Sequence, residues 1–378
     1  ILVLKNNKGT EDNRVRRMDY SIQMSKLFYE RFINEEDITL FSPHSVPGLY
    51  DAFGTDKFDA LYKKYEKDKS IPKKTIAAQE LFADLLKERA ETGRIYIMNI
   101  DHSNSHSSFK DKVSMSNLCQ EITLPTTPIK GIDDPDGEIA LCILSAINVG
   151  AIGNLNELET LCDLSVRALD EIIELQDYPV KAAEVSTKSR RSLGIGYIGL
   201  AHYLAKNGVK YSDPKAWELV DRLSEAFQYY LLRASCDIAE EKGKCSAFDK
   251  TKYADGLLPI DHYKKEVDEI VVHKQRMAWE TLRKDILKYG LRHSTLSAQM
   301  PSESSSVVSN ETNGIEPPRA LLSIKKSKKG PLKQIVPGFP NLKNAYTLLW
   351  DMGSNEGYIK IVSVMQKYFD QAISGNWS

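Results

Sequence analysis

Apolar residues recur at three- and four-residue steps over residues 20–32, 75–89, 155–175, 216–241 and 358–373 of this 378-residue chain. That spacing lays an apolar stripe along one face of a helix. Between these stretches lie short runs of strand character, at 94–100, 121–124 and 294–300. Gly93 stands between a helical stretch and the first of those strands, where a helix needs a C-cap. Helices alternating with short strands predict an α/β fold whose strands are buried on both faces. The polar tract 302–306 and the basic turn 325–329 are the only strong shifts in composition, and neither resembles a linker. The chain therefore reads as one compact unit.

Composition narrows the function. Hydrophobic residues make up 42% and charged residues 27%, enough for a sizeable core and too apolar for a disordered tail. Lys and Arg number 51 against 52 Asp and Glu, so bulk charge invites neither nucleic acid nor an anionic membrane. The apolar stretch 139–152 is too short to span a bilayer and is interrupted by Ser145 and Asn148. Five irregularly spaced cysteines argue against a secreted disulfide framework and for a reducing, cytoplasmic setting. The chain opens on Ile1 without a signal peptide and stops at Ser378 without a cap, so both ends are expected to be cuts through a longer protein.

Several motifs have plain explanations. Gly194, Gly196 and Gly199 spell the dinucleotide fingerprint, but Lys188-Ser189-Arg190-Arg191-Ser192 precedes them where a hydrophobic strand is required. A glycine-rich start to a helix through Ala201 and Leu204 accounts for them better. His102 and His106 stand four apart beside Asp101, in a segment that reads as a loop without a second ligand pair. Asn310-Glu311-Thr312 matches the glycosylation sequon without any secretory feature to give it meaning. Cys162, Cys236 and Cys245 fall on or beside helical stretches and read as core thiols.

Two segments carry chemistry. In an extended conformation Asn117, Cys119 and Glu121 share one face, offering an amide, a thiol and a carboxylate to one small molecule. An amide can hold a hydroxyl, a carboxylate can take its proton, and a thiol can act as nucleophile or hydrogen-atom donor. Cys142 follows downstream. An ordinary strand end with a buried cysteine is an equal reading of this spacing. The second segment, Pro301-Ser302-Glu303-Ser304-Ser305-Ser306, resembles a turn into a helix N-terminus, where free N–H groups and hydroxyls suit a phosphate. A solvated N-cap turn explains it equally, and Glu303 is odd for an anion site. Asn313-Gly314-Ile315-Glu316-Pro317-Pro318-Arg319 is a rigid turn of no evident purpose.

Together these segments closely resemble the large catalytic subunit of class I ribonucleotide reductase. The resemblance rests on Asn117-Leu118-Cys119-Gln120-Glu121-Ile122, Pro301 through Ser306, and Ser309 through Arg319. It extends to Asp37 through His44, Thr92-Gly93-Arg94-Ile95-Tyr96 and Gly137 through Cys142. It implies part of a ten-stranded α/β barrel of the ribonucleotide reductase and glycyl-radical type, with a central catalytic loop tipped by Cys119. The activity implied is reduction of ribonucleoside diphosphates to deoxyribonucleotides.

Residue by residue, the resemblance makes Cys119 the thiyl that takes the ribose 3′ hydrogen. Glu121 becomes the acceptor of the 3′-hydroxyl proton, and Asn117 the group that orients the hydroxyls. Cys142 becomes one member of the reducing dithiol. Leu118 and Gln120 would line the substrate, and Pro301, Ser302, Glu303, Ser304 and Ser305 would hold its phosphates. No metal or cofactor is expected on this chain, since the radical would come from the metal centre of a separate small subunit. An N-terminal region with ATP and deoxynucleotide effector sites and the partner of Cys142 is expected outside the chain. So are a radical-relaying tyrosine pair and a C-terminal cysteine pair serving thioredoxin or glutaredoxin. A homodimer of the whole subunit is implied, or a complementary fragment if the subunit is split. The alternatives are a cobalamin-dependent reductase and a non-catalytic piece that binds nucleotide or a partner subunit.

Overall fold

The computed structural model describes residues 19–93, 95–327 and 330–376; Arg94, Lys328, Lys329 and the ILVL opening lie outside the described residues. These residues form two compact units. The first holds residues up to Ser105 with Val113–Gln120, and the second holds His106–Lys112 with the residues from Glu121 onward. The chain leaves the first unit, returns and leaves again through ordered segments, so no linker composition marks the boundary.

In the first unit the order is β1 (Tyr20–Met24), α1 (Lys26–Ile33), β2 (Asp37–Phe41), α2 (Leu49–Ala52), α3 (Phe58–Lys67), β3 (Lys73–Ala77), α4 (Ala78–Thr92), β4 (Ile95–Asn99) and α5 (Ile100–His106), whose last residue passes to the second unit. Strand β1 pairs parallel with β4, and β2 pairs antiparallel with β3. Two expected helices are therefore shorter than their periodicity suggested. Over residues 20–24 the apolar residues Tyr20, Ile22 and Met24 also alternate at period two, and that pattern wins because β4 offers a partner. Ser25 then starts the helix: its Oγ accepts the Phe28 N–H at 3.2 Å. The stretch 75–89 divides likewise, its first residues pairing with β2 before α4 begins at Ala78. Gly93 ends α4 in the left-handed conformation, as its position implied. A core of Met24, Phe28, Ile38, Phe58, Tyr62 and Ile95 is flanked by Arg31, which donates to Glu66 at 2.5 and 2.6 Å.

The second unit continues with β5 (Ile143–Asn148), α6 (Glu157–Leu175), α7 (Lys181–Arg190), β6 (Leu193–Ile198), α8 (Leu200–Lys206), α9 (Pro214–Lys242), α10 (Pro259–His262), α11 (Trp279–Tyr289), α12 (Glu303–Val308), β7 (Leu322–Ser327), β8 (Gly330–Ile335) and α13 (Glu356–Gln366). Strands β5 and β6 are parallel, joined by the crossover that parallel pairing requires, here α6 and α7. Helix α9 starts on Asp213, whose carboxylate accepts the Lys215 N–H, with Pro214 in the first turn. It packs its buried face with α6, α11 and α13 around β6. Strands β7 and β8 form a hairpin. Helices and open sheets of this kind make the fold α/β, a partial barrel. No helix among the described residues is long and apolar enough to cross a membrane.

Three further expectations change. Residues 121–124 form no strand, although Glu121, Thr123 and Leu124 are buried. The expected strand at 294–300 is a buried, strand-like segment with single parallel bridges, Ser297 to Ile195 and Gln299 to Ile373. The helix expected to reach 373 stops at Gln366, because the residues beyond it turn back along that segment. There Gln371 N–H donates to Ser297 O and Gln299 N–H donates to Ala372 O, both at 3.1 Å.

Asp370 fastens this junction. Its carboxylate accepts the N–H groups of Leu296 and Ser297 at 2.9 and 2.8 Å, Ser297 Oγ at 3.0 Å and the Tyr253 hydroxyl at 2.8 Å. Asp370→Ala leaves two buried N–H groups and a phenol without an acceptor, each costing about 1–3 kcal/mol. It is expected to lose roughly 3–5 kcal/mol in urea unfolding, against about 1 kcal/mol for removing the Ser25 cap by Ser25→Ala.

Candidate active site

The Asn117–Gln120 segment, in the first unit, is a turn and not the extended strand from which a shared face was argued. Gln120 N–H donates to Asn117 O at 3.2 Å, and Gln120 takes the left-handed conformation at φ 69°. Its carboxamide also donates to Asn117 O at 2.8 Å, so the side chain closes the same turn. Cys119 sits at the third position of this turn, partly exposed. The histidines at 102 and 106 lie on helix α5, not on a loop. In the second unit His106 Nε2 lies 2.7 Å from Phe369 O and its ring packs edge-on to His262.

The second unit carries Glu121, Cys142 and the serine loop. Glu121 is buried, and its carbonyl accepts the Ala372 N–H at 3.1 Å. Cys142 immediately precedes β5 and lies over β6 at Gly194. A Cβ placed on Gly194 would stand 2.7 Å from the Cys142 sulfur, a distance no real Cβ tolerates. Burial pushes the Cys142 thiol well above its ordinary range; a hydrogen bond from Gln371 opposes that shift, and nearby Glu121 and Asp370 add to it.

The glycine motif thus has a different meaning from the helix start first assigned. Gly194 and Gly196 lie within strand β6, all of whose residues are buried, and only Gly199 stands at the start of α8. Positions 194 and 196 share a face of the strand. A Cβ on Gly196 would stand 2.7 Å from Ala298 O and 2.9 Å from the Met300 sulfur. Gly199, at φ 84°, leaves room for Glu311, whose carboxylate accepts the Thr312 N–H at 2.8 Å and meets His202 Nδ1 at 3.0 Å. Glycines at alternate positions in an apolar run were the available signal, since they mark close approach along a strand.

Directly after Met300, residues 301–306 turn into helix α12. Ser302 adopts φ 55°, and its carbonyl receives the Ser306 N–H at 3.0 Å. Ser306 Oγ lies 3.0 Å from Glu303 O and 3.1 Å from Asn313 Oδ1, two acceptors that share its one proton, and so ties the turn to the 313–319 segment. Glu303, Ser304 and Ser305 stand exposed at the helix start, where the first backbone N–H groups have no acceptor within the helix. A cavity of about 450 Å³ opens beside them, lined by Pro301, Glu303, Asn313, Glu316 and Arg319 among others. Carboxylates outnumber cations in that wall, so an anion here would depend on backbone donors and Arg319.

Among the cysteines, Cys162, Cys236 and Cys245 are buried in the apolar core of the second unit, as their helical positions suggested. Sequence reasoning reached Gly194 only as part of the glycine motif and did not reach Gln371 or the Glu311–His202 pair; a lone glutamine past a helix end gives no spacing signal.

The family model for the ribonucleotide reductase barrel domain matches residues 1–377. The ribonucleoside-diphosphate reductase subunit alpha of Haemophilus influenzae is 58% identical over all of this chain and 50% of its own length. The Escherichia coli K12 ribonucleoside-diphosphate reductase 1 subunit alpha is 56% identical, and the phage T4 subunit alpha 43%, over the same shares. The chain spans about half the length of these curated relatives. The chain therefore belongs to the ribonucleotide reductase barrel-domain family.

Proposed function

We propose that this chain supplies the barrel chemistry of a ribonucleoside-diphosphate reductase, converting ribonucleoside diphosphates to 2′-deoxyribonucleoside diphosphates for DNA synthesis. The observation that carries the reading is the unequal treatment of the five thiols. Cys162, Cys236 and Cys245 lie in the apolar core, where Cys162 donates to the Phe227 carbonyl and Cys245 accepts a backbone N–H, whereas Cys142 receives a side-chain carboxamide donor from Gln371 and lies over a glycine, Gly194. Cys119 stands on a turn closed by its own neighbours. A core-filling thiol requires none of these.

On this reading a separate small subunit supplies the radical, and Cys119 as a thiyl abstracts the 3′ hydrogen of the ribose. Asn117 orients the hydroxyls, with Leu118 and Gln120 lining the substrate. Glu121 accepts the 3′-hydroxyl proton, and the 2′-hydroxyl leaves as water. Cys142 and a second thiol give up two electrons and two protons and become a disulfide. The sum is one nucleoside diphosphate and a dithiol going to one deoxynucleoside diphosphate, a disulfide and water. Cys119 regains its thiyl state when the 3′ hydrogen returns. Pro301, Ser302, Glu303, Ser304 and Ser305 hold the phosphates mainly through backbone N–H groups at the start of α12. Burial of Glu121 serves the chemistry by position and exclusion of water. Effector nucleotides, thioredoxin or glutaredoxin, a second copy of the subunit and a cytoplasmic setting belong to the same proposal.

The reading predicts that the 378-residue chain alone does not reduce CDP. Activity is expected when the remainder of a large subunit and a small subunit are supplied. In that assembly Cys119→Ser is expected to abolish reduction while CDP binding survives; unchanged turnover would remove Cys119 from the mechanism. Turnover is further expected to be independent of added adenosylcobalamin, and a requirement for it would move the chain to the cobalamin-dependent class.

A further inference from the structure

Gln371 is 3% exposed and issues from the segment that follows α13. Its own N–H and that of Ala372 are both engaged, the first with Ser297 O and the second with Glu121 O. The side chain therefore leaves a backbone fixed from two sides. Its Oε1 accepts the Thr123 N–H at 3.3 Å, and its Nε2 donates to Leu193 O at 2.8 Å. Those two partners determine which end of the carboxamide is which. A backbone N–H can only donate and a backbone carbonyl can only accept, so the amide cannot be flipped. The nitrogen is consequently the atom that lies 3.9 Å from the Cys142 sulfur.

An N–H facing the sulfur occupies one of its lone pairs and excludes the thiol proton from that direction. The S–H must point elsewhere. The sulfur is also confined from the β6 side, where Leu193 O holds Gln371 and Gly194 supplies the clearance. Gln371 and its neighbour bind on both sides of Ile122, Gln371 Oε1 accepting the Thr123 N–H and the Ala372 N–H donating to Glu121 O. One carboxamide thus joins the segment bearing the carboxylate to the strand beneath the thiol.

We propose that Gln371 is a positioning residue for Cys142, its carboxamide holding the sulfur above Gly194 and fixing the direction of the S–H relative to the Glu121 segment. The inference rests on the reading of Cys142 as a reducing thiol, and deepens it. The groups that bear on the sulfur are Gln371, which favours the thiolate, and Glu121 and Asp370, which disfavour it.

The test uses the complete subunit assembled with its small subunit, comparing Gln371→Met, of similar size but without the N–H, with Gln371→Glu, which keeps the acceptor for Thr123. Alkylation of Cys142 by iodoacetamide is followed against pH by peptide mass spectrometry, with the partly exposed Cys119 as internal reference. Both variants are expected to alkylate Cys142 roughly tenfold more slowly at a given pH, since one unit of thiol pKa is tenfold in thiolate, while Cys119 is unchanged. In CDP reduction kcat is expected to fall on the order of tenfold with KM nearly constant, the mark of lost alignment and not lost binding. A wild-type Cys142 pH profile in either variant that folds, or a raised KM with unchanged kcat, overturns the proposal. Cys142→Ser separates the two layers. If it leaves turnover intact, the reducing role of Cys142 fails, whereas the alkylation profiles still decide whether Gln371 controls the sulfur.

Discussion

Strand β6 is buried along its whole length, takes β5 on one edge and meets the 294–300 segment on the other. A strand enclosed in this way can hold large side chains only where neighbours leave room for them. Here Leu193, Ile195 and Tyr197 fill one face, and the opposite positions 194 and 196 are glycine. On that second face the sulfurs of Cys142 and Met300 approach the backbone closely enough to exclude a Cβ at either glycine. Because successive same-face positions are spaced about 6.6 Å apart, the strand fixes the thiol and the start of the serine loop against a common ruler. The site of the second unit is therefore as rigid as β6 itself.

Buried charge holds the surrounding frame. Burial drives the Asp370 carboxyl upward, and the N–H and hydroxyl donors around it oppose that shift. Asp170 is treated differently: burial disfavours its charge, but His293 and Arg191 hold the carboxyl well below the usual carboxylate range. Lys367, fully buried, reaches Asp221 at 3.1 Å, and Tyr368 donates to the same carboxylate at 2.9 Å. Replacing such clusters by hydrocarbon need not reduce stability. What charge adds is direction, since each carboxylate accepts only from donors that stand at defined points. Asp370 fixes the residues just before Gln371, and so fixes the origin of the side chain that meets Cys142.

The long helices α6 and α9 were legible because their apolar periodicity holds over many turns. The division of residues 20–32 and 75–89 was not, because five-residue strands can satisfy helical and alternating patterns at once and only the partner strand decides. The cysteine, amide and acid of the 117–121 segment were legible as a set of chemical types, yet the extended geometry assumed for them was wrong: Gln120 adopts φ 69° and closes a turn. The serine loop was read correctly as a turn into a helix because Pro301 and the hydroxyl cluster are local signals. Gly194 and Gln371 act through residues 52 and 229 positions away in the chain, counted from Cys142 at 142 to 194 and to 371. The alternating glycines signal a close approach along a strand, but no local pattern names a partner at that span.

A cysteine chosen as a nucleophile is commonly placed where its pKa falls. Cys142 is placed where burial raises it. Under the proposed chemistry the two cases demand different things. A nucleophile needs the thiolate ready before the reaction, whereas a dithiol that reduces carbon while a hydroxyl departs as water must contribute protons along with its electrons. A thiol kept protonated by burial, with Glu121 close by, retains the proton until the substrate calls for it. Direction then matters more than acidity, and a neutral carboxamide donor supplies direction without adding a charge to a site that already contains a carboxylate. A lysine or arginine in the place of Gln371 would lower the thiol pKa more strongly, but it would release the proton early and neutralise the acid that has to accept one.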